Sequence, residues 1–265
     1  MTVDRPRVGR RGFLCLSAGW FAASVLGEVH ADLVDAVARV KPAVLIVGTY
    51  RPTDSPRFRL RGTGFVVAGG NHAITNAHVL PESTENTEGM TLAVQVRSAG
   101  QDLSMRTATV LEVDRVHDLA LLRFDGPAVP ALTLRDSTLV REGQSVAFMG
   151  FPIGSQLGFS PVTHRGIVSS ITPAVMPAPT SRQLSEASIR GIRSGSFDIF
   201  QLDATAYPGN SGGPLFDPDT GEVVGVVNMV LLKNTREGAL SQPSGISYAV
   251  PSNFIRSLLE RAGLR

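Results

Sequence analysis

Gly209-Asn210-Ser211-Gly212-Gly213-Pro214-Leu215 sets a single serine among glycines, directly ahead of an apolar segment that reads as a strand. Glycines on both sides open torsions that residues with a Cβ avoid, so a tight loop here can present Ser211 exposed. The same freedom can turn the N–H groups of Gly209 and Ser211 towards one point, where they would hold a developing negative charge. Glycine-rich turns with a serine are common. The meaning of this one depends on whether the rest of the chain supplies a base and an acid.

The flanking sequence favours strands. Val and Thr recur in short runs separated by Gly, Pro, Asp and Asn, a pattern of strands and turns rather than long helices. In the second half, strands are expected near Ser145–Gly150, Val162–Ile171, Asp198–Ala204, Glu222–Leu231 and Gly245–Val250. In the first half they are expected at Ala43–Tyr50, Gly62–Ala68, His72–Thr75, Thr91–Arg97, Arg106–Val113 and Asp118–Phe124, with Gly69-Gly70-Asn71 as a hairpin turn. Arg51–Arg61 reads as a polar loop, Leu134–Gln144 as the join between halves, and Thr172–Ser196 as a long surface loop. Leu33, Val34, Val37 and Val40 have helical spacing, as do Phe254, Ile255, Leu258 and Leu259 in a closing helix. Many short strands with few helices imply antiparallel barrels or a sandwich.

A chain of 265 residues is long enough to bury a real core. Its net charge is only +2, and nothing resembles the basic footprint of a nucleic-acid binder. The N-terminus carries Arg5, Arg7, Arg10 and Arg11, then an apolar run from Phe13 to Leu26 that is too short to span a bilayer. This is the layout of a signal peptide over residues 1–31, with small residues at Val29-His30-Ala31 for cleavage, and Arg10-Arg11-Gly12-Phe13-Leu14 resembles a twin-arginine export signal. The expected protein is exported, to a bacterial periplasm or beyond, with no stable membrane span once the signal is gone. The four arginines of that segment, set against Asp4 and Glu28, account for the whole net charge of +2. The one cysteine, Cys15, lies in the same segment, so the mature chain has no disulfide.

All five histidines (His30, His72, His78, His117 and His164) precede Ser211. Gly209–Gly213 formally fits the Gly-x-Ser-x-Gly elbow of α/β-hydrolases, but there the histidine follows the serine and a helix follows the turn. Neither holds here. The order that remains is His, Asp, Ser.

Three segments then carry a resemblance: Thr75-Asn76-Ala77-His78-Val79, His117-Asp118-Leu119-Ala120-Leu121-Leu122, and Gly209–Leu215. Together they resemble the catalytic segments of trypsin-like serine proteases, closest to the bacterial HtrA (Deg) group. Gly62-Thr63-Gly64-Phe65, Gly166-Ile167-Val168-Ser169, Gly225-Val226-Val227-Asn228 and Ile246–Pro251 agree, so the resemblance covers roughly Leu33 to Leu259. It implies an all-β fold of two antiparallel barrels with a short C-terminal helix. The barrels would span about 43–134 and 145–250 and the helix about 252–262, within a protease domain of 32–265.

By the same resemblance Ser211 is the nucleophile, His78 the general base, and Asp118 the carboxylate that fixes the imidazole tautomer. The oxyanion hole falls to backbone N–H groups in Gly209-Asn210-Ser211, foremost those of Gly209 and Ser211. Hydrolysis runs through an acyl-enzyme with no metal or cofactor. Asp114 and Asp125 compete with Asp118, but the apolar run Leu119–Leu122 favours Asp118. His117 reads as a surface or supporting residue, His72 and His164 as structural, and Asp203 as a strand-end residue.

The specificity pocket is assigned to Thr205, Ala206, Asn228 and Val230, where no carboxylate awaits a basic side chain. The expected preference is for a small or medium apolar residue before the cut bond. Asn210 stands where digestive trypsin-like enzymes have Asp, which argues against activation by an N-terminal ion pair. Control would fall to loops such as Gly154–Ser160 and Leu240–Ser244. HtrA proteases commonly continue into PDZ modules; no such module is expected here, which would leave substrate choice to the protease domain. The resemblance also implies polypeptide substrates and a homotrimer through N-terminal contacts. The rival readings are a catalytically silent, chaperone-like or peptide-binding module on the same fold, and an esterase.

Overall fold

The apolar runs pair into two closed antiparallel barrels. A computed structural model describes residues 1–2, 32–81, 87–97, 103–152, 159–174, 197–228 and 245–264, and every element below belongs to the unit Ala31–Arg265. The first barrel holds β1 (Val44–Tyr50), β2 (Phe58–Val67), β3 (His72–Asn76), β4 (Thr91–Arg97), β5 (Leu103–Asp114) and β6 (Leu119–Phe124), in the order β1-β2-β3-β6-β5-β4. The second holds β7 (Ser145–Gly150), β8 (Val162–Pro173), β9 (Asp198–Asp203), β10 (Pro214–Phe216), β11 (Val223–Asn228) and β12 (Ile246–Pro251), in the order β10-β11-β12-β9-β8-β7. Helix α1 (Leu33–Val40) precedes the barrels and α2 (Asn253–Arg261) follows them. The all-β, two-barrel expectation holds.

Several strands are apolar on both faces because both faces are buried. On β1, Leu45 and Val47 fill the first barrel, while Val44 and Ile46 point outward into a cluster with Ala147, Met149 and Phe151 and with Phe216. Helix α1 closes that cluster with Ala36 and Val40. On β6, Leu122 and Phe124 face the barrel interior, whereas Leu119 and Leu121 meet Val223, Val226 and Val250 of the second barrel. Helix α2 closes this second seam with Ile255, Leu258 and Leu259. Period-2 alternation thus sorts each strand between a barrel interior and the seam.

Besides a longer β5 and β8, two segments differ from expectation. β2 begins at Phe58 rather than Gly62. Its first residues pair with Gly48–Tyr50 beyond a register shift at Val47/Gly48, and a Cβ on Gly48 would sit 2.3 Å from the Arg59 carbonyl. The Leu134–Gln144 join runs along the second barrel: Leu134 bridges Val223, and Arg135 N–H donates to the Val223 carbonyl at 2.8 Å. Arg135 Nη1 also donates to Asp217 Oδ2 at 2.6 Å. Residues 3–31, most of the segment read as an export signal, lie outside the described residues. Among the described residues no helix is long and apolar enough to cross a membrane.

Leu258 is fully buried where α2 meets both barrels. Leu258→Ala is expected to lower stability by about 2–5 kcal/mol, read from the urea midpoint. A loss within experimental error would mean that α2 does not secure the seam.

Candidate active site

His78 lies in the short 3-10 turn Ala77–Val79 that ends β3, and Asp118 in the turn just before β6. Because β3 and β6 are neighbours, with Asn76 opposite Leu119, the two residues meet at one end of the first barrel. His78 Nδ1 donates to Asp118 Oδ2 at 2.5 Å, and the His78 backbone N–H donates to Asp118 Oδ1 at 2.9 Å. A carboxylate only accepts, so the proton sits on Nδ1 and neutral His78 keeps Nε2 free to accept.

Asp118 adopts φ +53°, unusual for a residue with a Cβ and worth about 1–3 kcal/mol of strain. Surrounding bonds hold it there. Its carbonyl accepts from Asn76 Nδ2 at 2.9 Å and from the Ala77 N–H at 3.1 Å, and Oδ2 also accepts from Asn228 Nδ2 at 2.8 Å. The preceding residue is fixed too. His117 donates through Nδ1 to Asp114 Oδ2 at 2.9 Å, stacks on Phe254 of α2 at 3.8 Å, and meets Phe197 edge-on at 4.6 Å. Burial pushes the Asp114 carboxyl up, but hydrogen bonds from His117 and Arg261 outweigh it and hold the group below its ordinary range. Asp114 therefore braces the turn, and Asp118 alone of the competing carboxylates reaches His78.

The nucleophile loop approaches from the second barrel. Gly212 N–H donates to the Val227 carbonyl, and Val227 N–H to the Gly213 carbonyl, both at 2.9 Å. Gly212 has φ +87°, and a Cβ there would fall 2.1 Å from the Thr63 carbonyl and 2.4 Å from Thr75 Oγ1. Only glycine lets the loop lie this close to the end of β3. Gly62 fills the same role opposite, since a Cβ on it would meet Val79 at 2.7 Å and the Ser211 carbonyl at 2.9 Å. The Ser211 segment and the His78 segment therefore both abut Gly62.

Thr63, with no exposed surface, ties the loop down. Its N–H donates to the Ser211 carbonyl at 2.9 Å and its Oγ1 to the Gly209 carbonyl at 2.6 Å, while Oγ1 accepts from the Phe151 N–H at 3.1 Å. Sequence reasoning gave Thr63 no role, although it lies within a quoted matching segment. The available signal was a hydroxyl between two glycines.

Several sequence-assigned residues sit differently from expectation. Ser211 is enclosed rather than openly presented, at 6% exposure. Asn210 N–H is already used, donating to the Tyr207 carbonyl at 3.0 Å; the N–H groups of Gly209 and Ser211 have no partner among the described residues. The donors available to an oxyanion are therefore those two and not Asn210. Asn228 donates its amide to Asp118 Oδ2, and Ala206 packs into the core of the second barrel. Thr205 is half-buried, between Ala204 and Ala206, which Ser247 Oγ holds by donating to one carbonyl and accepting from the other N–H. Val230, residues 154–158 and residues 240–244 lie outside the described residues. His72 is structural, its Nδ1 2.9 Å from the Ala68 carbonyl. Among the described residues no cluster of His, Cys, Asp and Glu could hold a metal ion.

Residues 62–226 match the family model of the trypsin-like peptidase domain. The chain belongs to the trypsin-like peptidase family. Within that family it is similar to HtrA proteases. Serine protease HTRA4 of Mus musculus is 32% identical over 259 residues, an alignment covering 96% of this chain and 46% of the relative. Mitochondrial serine protease HTRA2 of Drosophila pseudoobscura pseudoobscura is 32% identical over 204 residues, covering 77% and 39%. The chain thus spans less than half the length of these curated relatives. The solved structure of the HtrA-type protease AlgW with a decapeptide shares its fold, with a TM-score of 0.63 at 22% identity over 88% of this chain and 67% of the other.

Thr63→Val keeps the side-chain volume but removes the hydroxyl bonds to Gly209 and Phe151. The expected loss is about 1–3 kcal/mol in chemical denaturation. An unchanged midpoint would show that the hydroxyl does not secure the loop.

Proposed function

We propose that this chain is a serine endopeptidase that cuts extended or unfolded polypeptides after export to a bacterial periplasm or beyond. The observation that carries the proposal is the convergence of His78, Asp118 and the Ser211 loop across the seam, with His78 Nδ1 bonded to Asp118 and two loop N–H groups without a partner among the described residues. In this reading His78 Nε2 takes the Ser211 hydroxyl proton as Oγ attacks the scissile carbonyl. Asp118 stabilises the imidazolium that forms, and Asn228 holds the carboxylate in place. The Gly209 and Ser211 N–H groups receive the charge that develops on the carbonyl oxygen, each donor lowering the barrier by roughly 3 kcal/mol. Return of the proton to the leaving amine gives the acyl-enzyme, which water then hydrolyses.

Family membership and the signal-like residues 1–31 support an exported protease acting on polypeptides. The lack of a carboxylate in Thr205–Pro208 supports a small or medium apolar side chain before the cut bond. A homotrimer through α1 would use Val34, which stays 69% exposed while Ala36 and Val40 are buried on the barrels; light scattering on protein starting near Asp32 tests it.

Casein hydrolysis by wild type is expected to fall by roughly three orders of magnitude or more in Ser211→Ala. Hydrolysis unchanged in the variant would refute the role of Ser211. A peptide-library digest is expected to show apolar residues before the cut, and cleavage mainly after Arg or Lys would overturn the pocket assignment.

A further inference from the structure

Asn210 stands between the two N–H groups of the proposed oxyanion hole and is fully enclosed, at 0% exposure. Its backbone is anchored twice: its N–H donates to the Tyr207 carbonyl and its carbonyl accepts from the Gly213 N–H, both at 3.0 Å. Its side chain fills a slot that exists because residue 150 is glycine. A Cβ at Gly150 would lie 2.7 Å from Asn210 Oδ1, 3.0 Å from its Cα and 3.0 Å from Thr63 Oγ1. With the backbone pinned and the slot this tight, the direction of the side chain is coupled to the tilt of the peptides on either side. The Asn210–Ser211 peptide carries the Ser211 donor, and the Gly209–Asn210 peptide joins directly onto the residue that carries the other.

Among the described residues one polar contact reaches the amide. Asn210 Nδ2 donates to His164 Nε2 over a long 3.4 Å, while Oδ1, also buried, has no partner among the described residues. His164 projects from β8, stacks on Phe148 of β7 at 4.7 Å, and lies 5.9 Å from the Tyr207 ring. The groups that face it are therefore Phe148 from β7, and Tyr207 and Asn210 from the nucleophile loop. Arg165, next along the strand, projects to the opposite face. Among the described residues no carboxylate or cation faces the ring, and burial alone holds its basicity below that of a free imidazole.

We propose that neutral His164 is a positioning residue for the nucleophile loop, acting through Asn210, and that its protonation removes the acceptor on which the active loop geometry depends. The proposal rests on the reading of Ser211 as nucleophile. An amide nitrogen only donates, and so does an imidazolium nitrogen. A proton on His164 Nε2 sets two donors against each other, and the amide must turn over, presenting Oδ1 to His164 and Nδ2 to the slot. The Asn210–Ser211 peptide, which carries the Ser211 donor, follows the turn. His164 is thus needed neutral for alignment, as His78 is needed neutral for proton transfer. Because burial lowers its basicity, the arrangement is intact at neutral pH and is lost as pH falls.

Peptide hydrolysis against pH in wild type, His164→Gln and His164→Phe tests the pair. Wild type should lose log kcat towards about two units per pH unit on the acid side, and both variants about one. Gln still accepts from Asn210 without titrating, whereas Phe keeps the stacking and offers no acceptor. His164→Phe should lower kcat roughly 10- to 100-fold with little change in KM, and His164→Gln should recover most of it. Thermal midpoints confirm folding of each variant. A second arm needs no activity: in a Ser211→Ala background, Asn210→Asp places a carboxylate opposite His164 and should raise its NMR titration midpoint by about one pH unit or more. An acid limb shared by wild type and His164→Gln, or a midpoint unmoved by Asn210→Asp, would overturn the proposal. An inactive wild type with the midpoint shifted would instead refute the nucleophile assignment and leave the His164–Asn210 contact standing.

Discussion

The hydrogen bonds that Thr63 makes across the seam are the constraint on which the site depends. One buried residue of the first barrel binds the carbonyls of both Gly209 and Ser211, and accepts from the end of β7 through Phe151. Each barrel closes on its own hydrogen bonds, so nothing in barrel closure fixes one barrel against the other. Thr63 does this at the point where chemistry would occur, and its side chain is short enough to allow little play. Gly62 and Gly212 make the approach feasible, since a Cβ on either would collide with the opposite segment.

The apolar clusters between the barrels hold the seam over a larger area. Helix α1 closes one and α2 the other, so both chain-terminal elements serve the same interface. Helix α2 also stacks Phe254 on His117, one residue before Asp118. The left-handed backbone of Asp118 is thereby braced by a helix more than a hundred residues away in sequence, as well as by Asn76, Ala77 and Asn228. Strain at such a residue persists only where its surroundings over-determine it.

The chemistry-bearing residues were legible because their order and flanks are distinctive. No histidine follows Ser211, and Asp118 opens an apolar strand. Strand positions were legible from β-branched runs bounded by turn residues. The early start of β2 was not, because Phe58-Arg59-Leu60-Arg61 alternates correctly but is rich in Arg and follows prolines. The roles of Thr63, Asn210 and Asn228 were also hidden. Each depends on where a side-chain or backbone polar group points once two distant segments meet, and that direction leaves no trace in composition or spacing. Ala206 shows the same limit, since the Ser247 hydroxyl holds its backbone N–H and its methyl lies in the core of the second barrel.

The central claim is that Ser211, activated by His78, is the one reactive serine. Labelling with a fluorophosphonate, followed by peptide mapping, tests it most directly. A single adduct on Ser211 is expected in wild type, and it should disappear in His78→Ala. No adduct in wild type, or an adduct whose formation is unaffected by His78→Ala, would contradict it.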